Sequence, residues 1–535
     1  MTKTRKCLAF VLAFVMALSL ICIPGLAYDK KDVYNINKYV AFGDSVASGM
    51  NNEVRPLYKQ VVDADGNPVL DADGNPTYVE ILGSTDYGYV GRVSAGMGLD
   101  LHGGGAVSWA HTGMRVKDIL HEIKTDAVDY TDDAVYPATF KTTGYDSYRE
   151  TIRQDIREAD LITLNVGSND IFTSPLTYAA VEYAARLAEG EDMSSQGLIG
   201  KINKLLPSLA DATADTTSEM GIFGSLLNPA YSGLMEIFLQ KCFDGYARLK
   251  ETYPLLLKEL RELNPTAQII TIGVFNPMHA LSLTGSSLVT FGELADNVLL
   301  PLNSFIARTS AKYGCTYVDV VDVATDSSVH PTDEGYDDMT ARILAKLRPI
   351  TEFKDIALQS PEFQKAIQWA ANTRITTGTG EGTFSPNKVV NRAEMLTYLW
   401  RLAGEPKVEP GASFVDVKDG DYFADAVAWA TELGITKGTT ALTFSPYLTC
   451  TRAQIVTFLY RYDQATNPDA ADAGNFDGFR DVGLGAYFGA PVSWAVETGI
   501  TKGISSVLFG PLEPCTRAQA VTFLARYVGA KFTPL

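Results

Sequence analysis

The sequence predicts an α/β domain built on a parallel sheet, followed by a mainly helical region of three repeated units. Two observations carry this. Between residues 28 and 350, short apolar runs rich in β-branched residues alternate with helical stretches. Between 351 and 535, one set of short motifs recurs three times. Alternation of strand and helix gives a parallel sheet with helices on both faces, because each crossover packs back onto the sheet. Recurrence at a fixed period marks units that bury their apolar faces against one another. A chain of 535 residues also exceeds what one core sustains.

The candidate strands of the first region are Tyr39–Phe42, Leu161–Val166, Gln268–Val274 and Thr316–Val323. Helical patterns follow them, among them Tyr246–Leu263 and Phe291–Tyr313. Asp63-Ala64-Asp65-Gly66-Asn67-Pro68 repeats from Asp71 to Pro76. These residues suit two tight turns of a surface hairpin better than a calcium loop, since the glycine and terminal glutamate spacing of an EF-hand is missing.

The extreme N-terminus reads as a secretory signal. Lys3, Arg5 and Lys6 precede an apolar run from Cys7 to about Ile23, and Pro24-Gly25-Leu26-Ala27 supplies small residues for cleavage near Ala27. No later segment has the length and apolarity of a membrane span, so no stable span is expected after cleavage. Four cysteines remain beyond the signal: Cys242, Cys315, Cys450 and Cys515. They lack metal-ligand spacing, and neither a metal site, a cofactor nor a disulfide framework is expected. Lys plus Arg number 45 against 63 Asp plus Glu, a net charge of -18, which argues against a nucleic-acid partner.

The repeats are legible motif by motif. Phe353-Lys354-Asp355-Ile356 returns as Phe414-Val415-Asp416-Val417 and Phe479-Arg480-Asp481-Val482. Trp369-Ala370 returns as Trp429-Ala430 and Trp494-Ala495. Phe384-Ser385-Pro386 returns as Phe444-Ser445-Pro446 and, more loosely, as Phe509-Gly510-Pro511. Asn391-Arg392-Ala393-Glu394 returns as Thr451-Arg452-Ala453-Gln454 and Thr516-Arg517-Ala518-Gln519. The last set has the spacing of a capping box at a helix start. The preceding Val390, Cys450 and Cys515 then serve as small apolar residues, and the tryptophans as core. Capping does not explain Arg392, Arg452 or Arg517. A guanidinium beside a helix N-terminus is electrostatically disfavoured, and an anionic ligand relieves it. The expected divisions are a signal peptide at 1–27, a first domain at 28–350, and repeats at 351–404, 412–464 and 477–530.

Four blocks of the first domain carry chemistry. Ser45, in Phe42-Gly43-Asp44-Ser45, follows the first strand, at the strand end that faces the ligand crevice in open α/β folds. Asn165-Val166-Gly167-Ser168-Asn169-Asp170 ends another strand, and its amide side chain is placed to donate to a developing oxyanion. Ser108-Trp109-Ala110-His111-Thr112-Gly113-Met114 offers a backbone N–H to the same crevice. Asp326-Ser327-Ser328-Val329-His330-Pro331 follows the last strand and supplies a general base with a nearby carboxylate. His102, His111, His121 and His279 lack that context and read as surface or packing residues.

On these blocks, over about residues 36–348, the chain resembles the GDSL/SGNH family of serine esterases and acylhydrolases. The resemblance implies a flavodoxin-like three-layer α/β/α sandwich. It implies Ser45 as nucleophile, His330 as base, and an oxyanion hole from Ser45 N–H, Gly113 N–H and the Asn169 side chain. The acid of the family stands three residues before the histidine. Here that position is Ser327, and Asp326 is the candidate acid one residue further away. The repeats resemble S-layer homology (SLH) domains over about 353–530. That implies a helical pseudo-trimer that binds anionic, often pyruvylated, secondary cell-wall polysaccharide, with Arg392, Arg452 and Arg517 as candidate contacts. The expected function is a secreted, surface-anchored hydrolase of carbohydrate O-acyl or lipid acyl esters. The alternative is a wall-bound structural protein with an inactive hydrolase fold.

Overall fold

The computed structural model describes residues 36–49, 58–60, 78–80, 86–101, 105–111, 113–124, 148–173, 182, 186, 232–276, 291–325, 330–347, 353–380, 382–408, 414–470, 478–483 and 485–530. Five parallel strands form the main sheet in the order β4-β1-β5-β6-β7. They are β1 (Tyr39–Gly43), β4 (Ala106–Ser108), β5 (Leu161–Asn165), β6 (Gln268–Ile272) and β7 (Thr316–Val318). A separate antiparallel pair, β2 (Tyr58–Gln60) with β3 (Tyr78–Glu80), flanks the Asp-Gly-Asn-Pro turns, which themselves lie outside the described residues. Four of the strands match the apolar runs of the sequence. Strand β4 was not anticipated: three residues after a run of glycines carry no periodic signal, and it forms only by pairing with β1.

Side chains alternate across β1 as the strand period requires. Val40 and Phe42 join the core beneath helices α3 (Val116–Ile123), α4 (Arg149–Glu158), α5 (Ser232–Leu263) and α6 (Phe291–Lys312). Tyr39 and Ala41 point the other way, into the core beneath α2 (Tyr89–Met97) and α7 (Asp333–Lys346). Burial on both faces explains why these strands read as continuous apolar runs. The result is the expected three-layer sandwich. Strand order reverses at β1, so the crevice lies beyond its carboxyl end.

Each repeat contributes two helices: α8 (Pro361–Asn372) and α9 (Arg392–Leu402), α10 (Ala424–Glu432) and α11 (Arg452–Thr466), α12 (Gly489–Glu497) and α13 (Arg517–Tyr527). The first helix of each packs on the second helix of the preceding one, and α8 closes the ring on α13. At the centre Val390 N–H donates to Cys515 O, Cys450 N–H to Val390 O and Cys515 N–H to Cys450 O, at 2.9, 2.9 and 3.2 Å. All three side chains are fully buried, which is why only small apolar residues stand there. All four described cysteines are free.

The shared motifs have local causes. Capping boxes form at Asn391/Glu394, Thr451/Gln454 and Thr516/Gln519. The carboxylates of Asp355, Asp416 and Asp481 each accept two backbone N–H groups from the Phe-Ser-Pro-type turn of their own repeat. Ser385 and Ser445 there adopt φ of 57° and 58°. That left-handed turn explains why the third repeat uses Gly510. Trp369, Trp429 and Trp494 are core residues, each at most 4% exposed.

The repeats dock on the sheet's β7 side. Trp369 Nε1 donates to Ala311 O at 2.7 Å, Thr316 Oγ1 to Asn372 O at 3.2 Å, and Arg308 Nη1 to Thr466 Oγ1 at 3.0 Å. Lys346 pairs with Glu405 at 2.8 Å. Among the described residues, no helix is long and apolar enough to cross a membrane. Residues 1–27, the expected signal sequence, lie outside them.

Candidate active site

Gly43 ends β1 opposite Asn165, the last residue of β5. A Cβ at Gly43 would stand 2.5 Å from Ala47 Cβ and 2.7 Å from Asn165 O, so only glycine fits between strand and helix. Asp44 then caps the short helix α1 (Ser45–Ser48), accepting the Val46 N–H at 3.0 Å. Ser45 is therefore the first helical residue rather than the cap. Its N–H belongs to the first turn, where no intrahelical acceptor exists.

His330 reaches Ser45 from the far side of the sheet. Its Nε2 lies 2.8 Å from Ser45 Oγ, and the ring is buried. Its position is held from both flanks. Thr325 pairs with Pro331 in an isolated bridge, and Thr332 caps α7 while its N–H donates to Ala324 O. The two residues are 285 positions apart in the chain. Asp326 lies outside the described residues.

Asn169 opens a π-helical turn at Asn169–Thr173 after β5. Its Nδ2 donates to Asp44 Oδ2 at 3.1 Å and to Met114 O at 3.2 Å. It thus ties the Gly-Asp-Ser block to the Gly113-Met114 block. Gly113 adopts φ 79°, a conformation that favours glycine. In the resting site both amide hydrogens of Asn169 have acceptors, so an oxyanion would have to share one of them.

Two carboxylates escaped the sequence reading. Asp44 is buried and accepts Ser168 Oγ at 2.5 Å as well as Asn169. Burial pushes its pKa up, against the pull of the Ser168 and Val46 hydrogen bonds and of His330. Its place beside Ser45 was visible, but its cap on the following helix and its grip on Asn169, 125 residues away, were not. Asp170 is the second. It accepts the Val116 N–H at 3.1 Å at the start of α3, and Gly245 packs against its carbonyl so closely that a Cβ would stand 2.1 Å away. Burial is the main cause that raises its pKa to about 7.

That value has a sign. A buried acid with a raised folded pKa contributes stability below its unfolded pKa, near 4, and loses it as pH rises through about 7. Asp170→Asn is expected to flatten the fall in melting temperature of the full chain between pH 4 and pH 7, measured by calorimetry. An unchanged slope would show that Asp170 titrates normally.

The repeat arginines are neither solvated nor displayed. Arg392, Arg452 and Arg517 are 3%, 6% and 2% exposed. Each Nε donates to a phenylalanine carbonyl of another repeat: Arg392 to Phe444 O, Arg452 to Phe509 O and Arg517 to Phe384 O, at 3.0, 2.9 and 2.9 Å. Each guanidinium also lies between two aromatic rings. These residues join the repeats, a role that their place at helix starts did not reveal. His111 is buried beside the site, and His121 Nε2 lies 3.0 Å from Arg149 Nη2, while His102 and His279 lie outside the described residues.

Comparison with known proteins matches the same two regions. A family model described as GDSL-like Lipase/Acylhydrolase matches residues 39–343, and the S-layer homology domain model matches 352–396, 413–456 and 478–521. Among curated relatives, Exoglucanase XynX of Acetivibrio thermocellus is 26% identical over 187 residues, covering 35% of this chain and 17% of that protein. The Surface-layer 125 kDa protein of Lysinibacillus sphaericus is 25% identical over 200 residues, covering 36% and 16%. The chain thus spans less than a fifth of the length of these relatives. Among solved structures, phospholipase A1 from Streptomyces albidoflavus is 15% identical with a TM-score of 0.30, covering 58% of this chain and 98% of that one. A family two carbohydrate esterase from Clostridium thermocellum is 13% identical with a TM-score of 0.27, covering 58% and 64%. The three SLH repeats, shared with S-layer and cell-surface proteins, mark a secreted protein attached to the cell surface. With more than half its length matched by one model, the chain belongs to the GDSL-like lipase/acylhydrolase family.

Proposed function

We propose that the protein is a surface-anchored serine hydrolase of carboxylic esters. The observation that carries this is the contact of 2.8 Å between His330 Nε2 and Ser45 Oγ. Ser45 Oγ attacks the acyl carbonyl carbon while its proton passes to His330 Nε2. The bond to the leaving alkoxide then breaks, and His330 returns the proton to that oxygen. Water, deprotonated by His330, attacks the acyl-Ser45 carbonyl; the bond to Ser45 Oγ then breaks, His330 returns the proton to Oγ, and the carboxylic acid is released. Charge on the carbonyl oxygen is met by the N–H groups of Ser45 and Gly113 and by Asn169. Asp326 is the candidate that orients His330. The domain 28–350 performs this chemistry, and the repeats at 351–404, 412–464 and 477–530 hold it on the wall once the signal at 1–27 is removed. Anchorage on a polysaccharide surface favours carbohydrate O-acyl esters over lipid esters as substrates. Arg392, Arg452 and Arg517 are the candidate cationic positions for the anionic wall polymer.

Hydrolysis of a soluble short-chain aryl ester by the full chain, with a serine-directed phosphonate mapped to Ser45, tests the activity. No turnover and no labelling would favour the inactive, structural alternative. Asn169→Ala is expected to lower kcat roughly 100- to 1000-fold with little change in KM. A rise in KM alone, in steady-state kinetics on the same ester, would make Asn169 a substrate-binding residue instead.

A further inference from the structure

The three arginine positions are related by the ring of repeats, yet their surroundings differ. Arg517 Nη1 pairs with Glu394 Oε1 at 2.9 Å, across the junction of the third and first repeats. Glu394 is also approached by Lys388 at 3.7 Å, so this carboxylate is held between two cations. In the other repeats the position of Glu394 is Gln454 and Gln519. Neither glutamine carries a charge that would neutralise an arginine.

Arg392 stands in the opposite condition. Its Nε is bonded to Phe444 O, and its Nη2, like that of Arg517, is buried without a hydrogen-bond partner, but among the described residues no carboxylate pairs with Arg392. A desolvated guanidinium nitrogen without an acceptor is costly, and an anion relieves it. Burial lowers the pKa of Arg392, as it does that of Arg452. The residues of the rim around it are apolar and exposed. Tyr487 is 61% and Leu448 58% exposed. Leu448 O accepts the Arg392 N–H, and Tyr487 lies close enough to Arg392 for each to perturb the other electrostatically. An exposed tyrosine ring beside a cation suits the C–H face of a sugar that carries a carboxylate.

The corresponding rim at Arg452 is acidic. Glu513 takes the sequence position of Leu448, and Glu362 that of Tyr487, at the same distance before the repeat's tryptophan. Arg452 Nη2 is moreover bonded to Thr501 Oγ1 at 3.3 Å. Glu513 would repel an approaching anion, Glu362 is occupied by Arg526 Nη2 at 2.6 Å, and the Arg452 guanidinium is already partnered.

We propose that the wall polymer is taken principally at one of the three junctions: a sugar carboxylate binds at Arg392 with its ring against Tyr487, while the Arg517 junction is closed by its own Glu394. This rests on the wall-polymer reading of the repeats. It makes the three repeats unequal in function although they are alike in fold. Glu394 acts as an internal substitute for the ligand carboxylate. Its other oxygen accepts the Asn391 N–H in the capping box, a role the glutamines of the sister repeats fill equally. Glu394→Gln therefore keeps the cap and removes only the charge.

The test is isothermal titration of the full chain with short oligosaccharides from purified wall polymer. Three forms of the probe are used: native, mild-acid treated to remove ketal-linked carboxylates, and carboxyl-reduced to remove uronate and ketal carboxylates alike. The native probe is expected to fill one site per chain. Carboxyl reduction is expected to abolish binding, and mild acid to abolish it only where the carboxylate is a ketal. Tyr487→Ala, at an exposed position, should weaken binding roughly tenfold without lowering the melting temperature, and Arg392→Lys should weaken it at least as much. Glu394→Gln should add a second site. Three equal sites in the wild type, an unchanged isotherm for both Tyr487→Ala and Glu394→Gln, or full binding of the carboxyl-reduced probe would overturn the proposal. No binding of any native probe to the wild-type chain or to its sacculi would overturn the wall-polymer reading itself.

Discussion

Ser45→Ala is expected to abolish ester hydrolysis, lowering kcat by about a millionfold, the scale set by removal of a nucleophile from a cooperative triad. The fold should be indifferent to the change. Asp44 still caps α1 through its own side chain, and Gly43 still closes the turn. The lost hydroxyl is half-buried, so water replaces it beside His330, and the melting temperature should stay within a few degrees of wild type. Ester turnover and thermal unfolding measured on the same preparation decide the matter. Retention of more than about a tenth of the activity would remove Ser45 from the reaction.

His330→Ala is expected to match that loss, because it removes the group that accepts the proton and later returns it to the leaving oxygen. Asp326→Ala should be milder by a factor of roughly tens, since an orienting partner contributes less than the base itself. The two variants, assayed on one aryl ester over a range of pH, separate the roles. Equal losses would make Asp326 a full member of the triad in spite of its displacement by one residue from the family spacing.

Much of the hydrolase domain was legible because a parallel sheet buried on both faces writes itself as apolar runs. The four long runs became β1, β5, β6 and β7, with β7 ending at Val318 instead of Val323. The chain leaves the sheet there, since only Thr316–Val318 find partners on β6. Such an ending is set by the neighbouring strand and leaves no mark on local composition. The repeats were legible for a different reason: three copies of a motif cannot arise from packing alone.

The sequence by itself determined the fold class, the order of the four blocks, the capping boxes and the threefold recurrence. Each depends on spacing along a short stretch of chain, where helix and strand periods act directly. Only the tertiary structure decided what meets across the chain. It brought His330 to Ser45, made Asp44 and Met114 O the partners of Asn169, and buried Asp170 until its pKa approached neutrality. It also turned three similar arginines into three different environments: Arg517 paired to Glu394, Arg452 bonded to Thr501, and Arg392 with neither partner. Hydrogen bonds reach about 3 Å, and desolvation acts over the first shell of neighbours, so their outcome is set by residues distant in sequence and adjacent in space.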